Sequence, residues 1–265
     1  MEELPLQPTL VINFDKFNHG KQIVPKKELV LYQNPRELIT KNDSTLFVLR
    51  TYFDLEHIDI PYSVFYNTSY DDMGSLIADM KRKSPSPFTW YFNGILQTSY
   101  TMKEDSHVLC KKDGECINLQ GGISDNAELV HYLSNACKNK VNIFVSNVSN
   151  WGVYEVVTVI MALHALKEGG LLVMKLYPVF TVFTMKLLYM ISKCFETFRM
   201  ENIGGEVFIV GGGCKKMSER MPLLDQLWVI IDERHIDMKP SLLTTTIPEE
   251  IYAIIQFFAH SLYLK

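Results

Sequence analysis

The sequence predicts an α/β protein built on a doubly wound, mostly parallel sheet, with an N-terminal arm and a C-terminal helical extension. From about residue 62 to 213, short apolar runs with strand character alternate with segments whose apolar residues recur at helical spacing. That alternation is the order of strands and crossover helices in one sheet. The composition agrees: 47% of the 265 residues are apolar and 21% charged, with 14 Gly and 11 Pro, which excludes disorder, collagen and low complexity. The reading gives an arm or edge strands over 1–40, the sheet domain over 41–217, and a helical extension of the same domain over 218–265.

In chain order, TLVINF and ELVLYQ within 9–33 read as short extended stretches separated by Gly20 and Pro25. After Pro35, residues 36–55 turn helical in their second half, with Asp43 or Ser44 as N-cap. YSVFY (62–66) is a strand, and 67–83 is a polar turn leading into a helix. PSPFTWYFNGIL (85–96) reads as a strand after its prolines, and 101–122 as a loop. Residues 123–137 form a helix started by Ser124 with Glu128 close behind. NKVNIFVSN (139–147) is a strand, and 153–170 is a helix closed by the Gly169–Gly170 pair as C-cap. Residues 171–177 form a strand, 183–198 a helix and 206–213 a strand. The region 218–265 shows no clear strand and ends in a helix with Pro248 in its first turn.

The formal net charge is −4, so no global basic excess advertises nucleic acid, although a local basic face is compatible with it. Five cysteines without CxxC or Cys/His ligand spacing point to reduced thiols in a cytoplasmic protein rather than a disulfide framework or a zinc site. The acidic N-terminus lacks a signal pattern. The most apolar stretch, 171–195, carries Lys175, Pro178 and Lys186 and reads as a buried strand followed by a helix, not a membrane span.

The run from 139 to 213 carries the most specific signal: NKVNIFVSN, an apolar helix, ALKEGGLLVMKLYP, a second helix, then GGEVFIVGGGCKK. It resembles the C-terminal half of the FtsJ/RrmJ-type RNA ribose 2′-O-methyltransferases, a group that includes cap methyltransferases and domains of viral large polymerase proteins. The resemblance implies a Rossmann-like sheet of the S-adenosylmethionine (SAM)-dependent methyltransferase type. It also implies a Lys-Asp-Lys-Glu tetrad, whose second lysine helps deprotonate a ribose hydroxyl when neighbours lower its pKa. Lys175 matches that lysine and Glu206 the glutamate, whereas Asn147 stands in place of the aspartate and carries no negative charge. The first lysine is matched by Arg50, or less well by Lys41, and an arginine positions rather than accepts a proton.

The family's glycine-rich cofactor turn corresponds to FYNTSYDDMGSL, so Asn67, Tyr70, Asp71 and Gly74 stand at the SAM positions. There a bulky ring and adjacent carboxylates replace small residues, and Gly122 stands where an adenine-side acid is expected. The resemblance therefore implies a degenerate member that has lost cofactor and catalytic features. Its partners would be capped RNA or a catalytic capping or polymerase subunit, as for the small methyltransferase-like subunit of poxvirus capping enzyme. Two alternatives stay open: an active SAM-dependent RNA 2′-O-methyltransferase with Lys175 as base, and a purely structural interaction protein.

Other motifs have plainer readings. Asp71 and Asp72 suit a helix N-terminus. GGGC at 211–214 lacks the Gly-Lys-Ser/Thr ending of a phosphate loop and reads as a turn. Lys81–Lys83, Lys111–Lys112 and Lys215–Lys216 form an RNA track only if they share a face. Trp90, Tyr91 and Phe92 suit base stacking only if exposed. No hydrolase motif, metal-binding histidine pattern or DNA sequence reader appears.

Overall fold

A computed structural model describes residues 8–13, 22–23, 30–33, 45, 48, 52, 62–68, 88–94, 115–116, 127–150, 153–176, 179–203, 206–233 and 239–261. In chain order the elements are β1 (Pro8–Asn13), β2 (Gln22–Ile23), β3 (Val30–Gln33), β4 (Tyr62–Thr68), β5 (Phe88–Gly94) and β6 (Glu115–Cys116). There follow α1 (Ala127–Ala136), β7 (Val141–Asn150), α2 (Val153–Ala165), β8 (Leu166–Leu176), β9 (Val179–Thr181) and α3 (Val182–Lys193). The chain closes with β10 (Phe195–Ile203), β11 (Glu206–Cys214), α4 (Met217–Asp232), β12 (Ile247–Pro248) and α5 (Glu249–Ser261). Thr45, Val48 and Tyr52 are helical as well, and their spacing puts them on one helix face.

Eight strands form the central sheet in the order β6-β5-β4-β7-β8-β11-β10-β1. The chain leaves β4 in one direction to β5 and β6, then returns and builds β7 and β8 on the other side, which is a doubly wound order. Its switch point lies between the neighbouring strands β4 and β7. The sheet is mixed, however, and not mostly parallel. The pairs β4–β5, β4–β7, β5–β6 and β7–β8 are parallel, whereas β8–β11, β10–β11 and β1–β10 are antiparallel. Only two residues separate β10 from β11, and a parallel crossover needs a dozen or more. The outer strands therefore form a hairpin, and β11 inserts antiparallel between β8 and β10.

The core follows from strand composition. From Gly170 to Leu176, β8 is buried throughout, as expected of a strand covered on both faces. One face, with Phe144, Leu172, Met174, Met200, Val207 and Ile209, joins a single apolar cluster with α2, α3, α4 and α5. The other face carries the buried residues Ile143, Val145, Val173, Phe208 and Val210. α3 starts at an N-cap threonine, whose Thr181 Oγ1 accepts from Thr184 N at 3.1 Å.

Several local expectations are corrected. The helix expected over 153–170 ends at Ala165, and Gly169 and Gly170 lie inside β8 instead of capping it. The C-terminal carbonyls of α2 find other donors: Asn139 N bonds His164 O at 2.8 Å, and Lys140 N bonds Ala165 O at 3.0 Å. The buried Arg220 guanidinium donates to Leu163 O and, at 3.0 Å, to Leu166 O. Gly170 is needed for packing, since a Cβ there would come within 2.9 Å of Lys167 O and 3.0 Å of Asn142 O.

Second, the helix expected over 183–198 stops at Lys193, and Phe195 opens β10. Third, the glycines at 211–213 are not a turn: they lie in β11 under β10 side chains, and a Cβ on Gly211 would sit 2.7 Å from the Phe195 ring. Fourth, the loop expected over 101–122 contains the short strand β6, and Pro248 precedes α5, in β12. The stretch 171–195 folds as strand and helix, and no helix among the described residues is long and apolar enough to cross a membrane.

Arg220 fixes the end of α2, the start of β8 and the start of α4 with one side chain. Arg220→Met leaves the Leu163 and Leu166 carbonyls without that donor, so urea unfolding should show a loss of about 2–4 kcal/mol.

Candidate functional site

The antiparallel insertion of β11 assembles the site. Phe208 of β11 is in register with Lys175 of β8, and Val207 with Leu176. Residues two apart on a strand share a face, so Glu206 lies on the same side as Phe208 and Lys175. Lys175 Nζ donates to Glu206 Oε1 at 2.5 Å, and both side chains are buried, at 0% and 5% exposure. The ammonium also stands 6.0 Å from the Phe208 ring centroid, at the outer range of a cation–π contact.

Asn147 stands on the neighbouring strand. The β7–β8 ladder is regular from Ile143–Leu171 to Ser146–Met174 and resumes at Asn150–Leu176, so Asn147, Val148 and Ser149 together oppose Lys175. Such a bulge re-aims side chains at the end of a strand. Asn147 is buried, and its Oδ1 accepts from Thr45 Oγ1 at 2.8 Å. Thr45 and Val48 are themselves fully buried, and Tyr52 accepts from Arg199 NH1 at 3.5 Å with its ring 5.3 Å from the guanidinium. Thr45 thus bonds to β7 and Tyr52 to β10.

Of the expected site residues, the structure brings Lys175 and Glu206 into contact and sets Asn147 on the strand beside Lys175. Asn67 lies near the end of β4, in register with Asn93 of β5 and Ser146 of β7, beside the switch point where doubly wound sheets bind ligands. Arg50, Tyr70, Asp71, Gly74 and Gly122 lie outside the described residues. β4 closes on Asn67 and Thr68, both held in the β4–β5 ladder. Of the expected cofactor positions only Asn67 is described, and no chemical step is derived through the cofactor.

Two members of this neighbourhood have no motif. Thr45 closes over Asn147 from 102 positions away in sequence. Glu201 of β10 is in register with Phe208, placing it on the Lys175 face. It is 1% exposed, and neither carboxylate oxygen has a hydrogen-bond partner among the described residues. Burial pushes its carboxyl up to about 7. Glu206 Oε2 is likewise buried without a partner. Residues 200–203 are buried without a break, so no alternation marks Glu201.

Elsewhere, burial pushes Glu155, in the first turn of α2, up to about 8. On the same helix, burial first and then the charges of Lys138, Arg220 and His131 push His164 down to about 4. Its neutral Nε2 accepts from Trp228 Nε1 at 3.2 Å.

Two predictions follow from these charges. Replacing one member of the Lys175–Glu206 pair strands the other, so Lys175→Met and Glu206→Leu should each lose about 3–5 kcal/mol in urea unfolding, while the double variant should recover most of it. For pH, folding favours protonated Glu155 and Glu201, so their contribution is complete below about pH 4.5 and is lost as pH rises through 7 to 8. His164 has the opposite sense: its contribution is complete above pH 6.5 and is lost as pH falls through about 4. The melting temperature should therefore fall between pH 6 and 8.5, and Glu155→Gln should flatten that fall.

No protein-family model matches the chain, and no curated protein matches it. Among solved structures it is distantly similar to the methyltransferase MycE from the mycinamycin biosynthetic pathway. One crystal form of MycE with Mg and SAH is 14% identical, with a TM-score of 0.33, over 48% of this chain and 30% of that one. A second form gives 12%, 0.31 and the same coverage. The complex with Mg, SAH and mycinamycin VI gives 12% and 0.41 over 63% of this chain and 47% of that one. The chain thus spans less than half of MycE's length.

Proposed function

We propose that this chain is a noncatalytic, RNA 2′-O-methyltransferase-like protein of a viral RNA-capping or replication system, acting in the cytoplasm by holding RNA or a catalytic partner subunit. The observation that carries this reading is the burial of Lys175: its side chain is 0% exposed and its Nζ is engaged by Glu206. A general base must come within about 2.6–3.2 Å of the proton it removes, and this side chain has no exposed surface for a ribose hydroxyl to meet. Asn147 adds to the argument, because an amide supplies none of the negative charge that an aspartate would bring to the cluster.

The rival is an active methyltransferase with Lys175 as base, Glu206 as its support and Asn147 and Arg50 as positioning groups. The contact between Lys175 and Glu206, together with the bulge that sets Asn147 against Lys175, supports it. In this reading the Thr45–Tyr52 segment must move away before substrate enters. SAM supplies the methyl group in that reaction, and the residues at 67–74 and 122 would hold it.

Calorimetric titration with SAM and with S-adenosylhomocysteine separates the two. The noncatalytic reading expects no binding of either, and no methyl transfer to capped RNA. Micromolar binding together with methyl transfer that Lys175→Ala abolishes would overturn it in favour of the enzyme.

A further inference from the structure

We propose that the edge of the sheet remote from Lys175 is a phosphate-backbone track for single-stranded RNA, formed by Lys138, Lys140, Lys167, Lys215 and Lys216. The proposal rests on the RNA-holding arm of the function proposed above and gives it a place.

Topology gathers these lysines. Lys140 immediately precedes β7 and Lys167 is the second residue of β8, and the two strands start side by side, with Val141 in register with Leu166. Because β11 runs antiparallel to β8, its C-terminal end arrives at the same edge. Gly211 is in register with Leu172, and β11 runs on past that pair to Cys214, in the direction of the start of β8. Lys215 N is fixed there by a 2.9 Å bond to Cys194 O. The same reversal that brings Glu206 to Lys175 therefore delivers Lys215 and Lys216 to Lys140 and Lys167.

Lys138, Lys140, Lys167 and Lys216 are exposed and Lys215 is half-buried. None of the five forms a salt bridge with a described acidic residue. Their field is felt inside the protein: Lys138 helps hold His164 low, and Lys215 opposes the rise of the Cys194 thiol. Strands β7, β8 and β11 lie about 4.8 Å apart, so this end of the three strands spans roughly 10 Å. Acidic neighbours are fewer. Glu168 follows Lys167, Glu196 lies over Gly213 in β10, and Glu219 sits in the first turn of α4. Lys167 and Lys175 are eight residues apart on one strand, about 26 Å, so the track is separate from the buried pair.

Among the described residues this edge offers lysines and no base-reading group, so the fit is to backbone charge and the binding should be sequence-independent and salt-sensitive. The test uses the full chain and a fluorescein-labelled oligouridylate, with affinity followed by anisotropy across a salt series. The triple variant Lys138→Ala, Lys140→Ala, Lys167→Ala should lower the slope of log affinity against log salt by about 2 and weaken binding about 100-fold at low salt. Lys215→Ala with Lys216→Ala should lower the slope by about 1.4, and Glu168→Gln should tighten binding. These side chains are on the surface, so unchanged melting temperatures would show that the variants fold.

Binding by the parent chain that the two lysine variants leave intact would overturn the track and leave the RNA-holding reading standing. No binding by the parent chain at low salt would overturn both.

Discussion

The hydrogen bond from Lys175 Nζ to Glu206 Oε1 joins two strands that reach the same point from opposite directions. Lys175 is the last residue but one of β8, whereas Glu206 is the first of β11. A parallel neighbour would bring its own C-terminal end there, so the contact exists only because β11 is antiparallel. The surrounding geometry is built around that junction: the bulge of β7 opposes Lys175, Phe208 stands beside it and Thr45 closes over Asn147. Two charges removed from water at this depth are expensive, and their mutual attraction approximately offsets the loss. The pair therefore fixes which strand ends meet more than it adds to stability.

A second charged side chain fixes the opposite end of β8. The Arg220 guanidinium holds carbonyls at the end of α2 and the start of the strand, and its NH2 reaches Asn139 Oδ1 at 3.4 Å. Asn139 is the described non-glycine residue with positive φ, at 53°, and it turns the chain from α1 into β7. The strand is thus tied by a buried cation at each end, one with a carboxylate partner and one with carbonyl partners. The difference matters for surface chemistry. Carbonyls leave the positive charge of Arg220 uncancelled, and it acts together with Lys138 on His164.

Much of the sheet was legible because YSVFY, VNIFV, LLVMKL and EVFIV are apolar runs of strand length set between helical patterns. Strand direction was not, because alternating strands and helices imply parallel crossovers and β10 was absorbed into the preceding helix. Phe195 and Phe198 are three apart, a helical spacing, while the reason they lie in a strand is the glycine run 211–213 that receives the β10 side chains. The two-residue Gly204–Gly205 link was the available clue to a hairpin. At the site, Lys175 and Glu206 were legible as parts of a pattern. Thr45 and Glu201 were not, because what sets them apart is burial and neighbours supplied by distant segments.

A lysine and a glutamate in the positions of a catalytic pair do not by themselves imply catalysis. Once both are buried against each other, losing either one strands a charge in the core, whereas losing both leaves an apolar site. Single changes therefore meet a barrier that has nothing to do with reaction rate, and a chain that performs no chemistry has a structural reason to carry the pair. What a working base needs in addition is an approach for substrate and neighbours that change charge with it. Here the Lys175 side chain has no exposed surface, and the position expected to hold an aspartate is an amide. The contact that resembles catalysis is thus accounted for by the cost of breaking it, whether or not the chain performs chemistry.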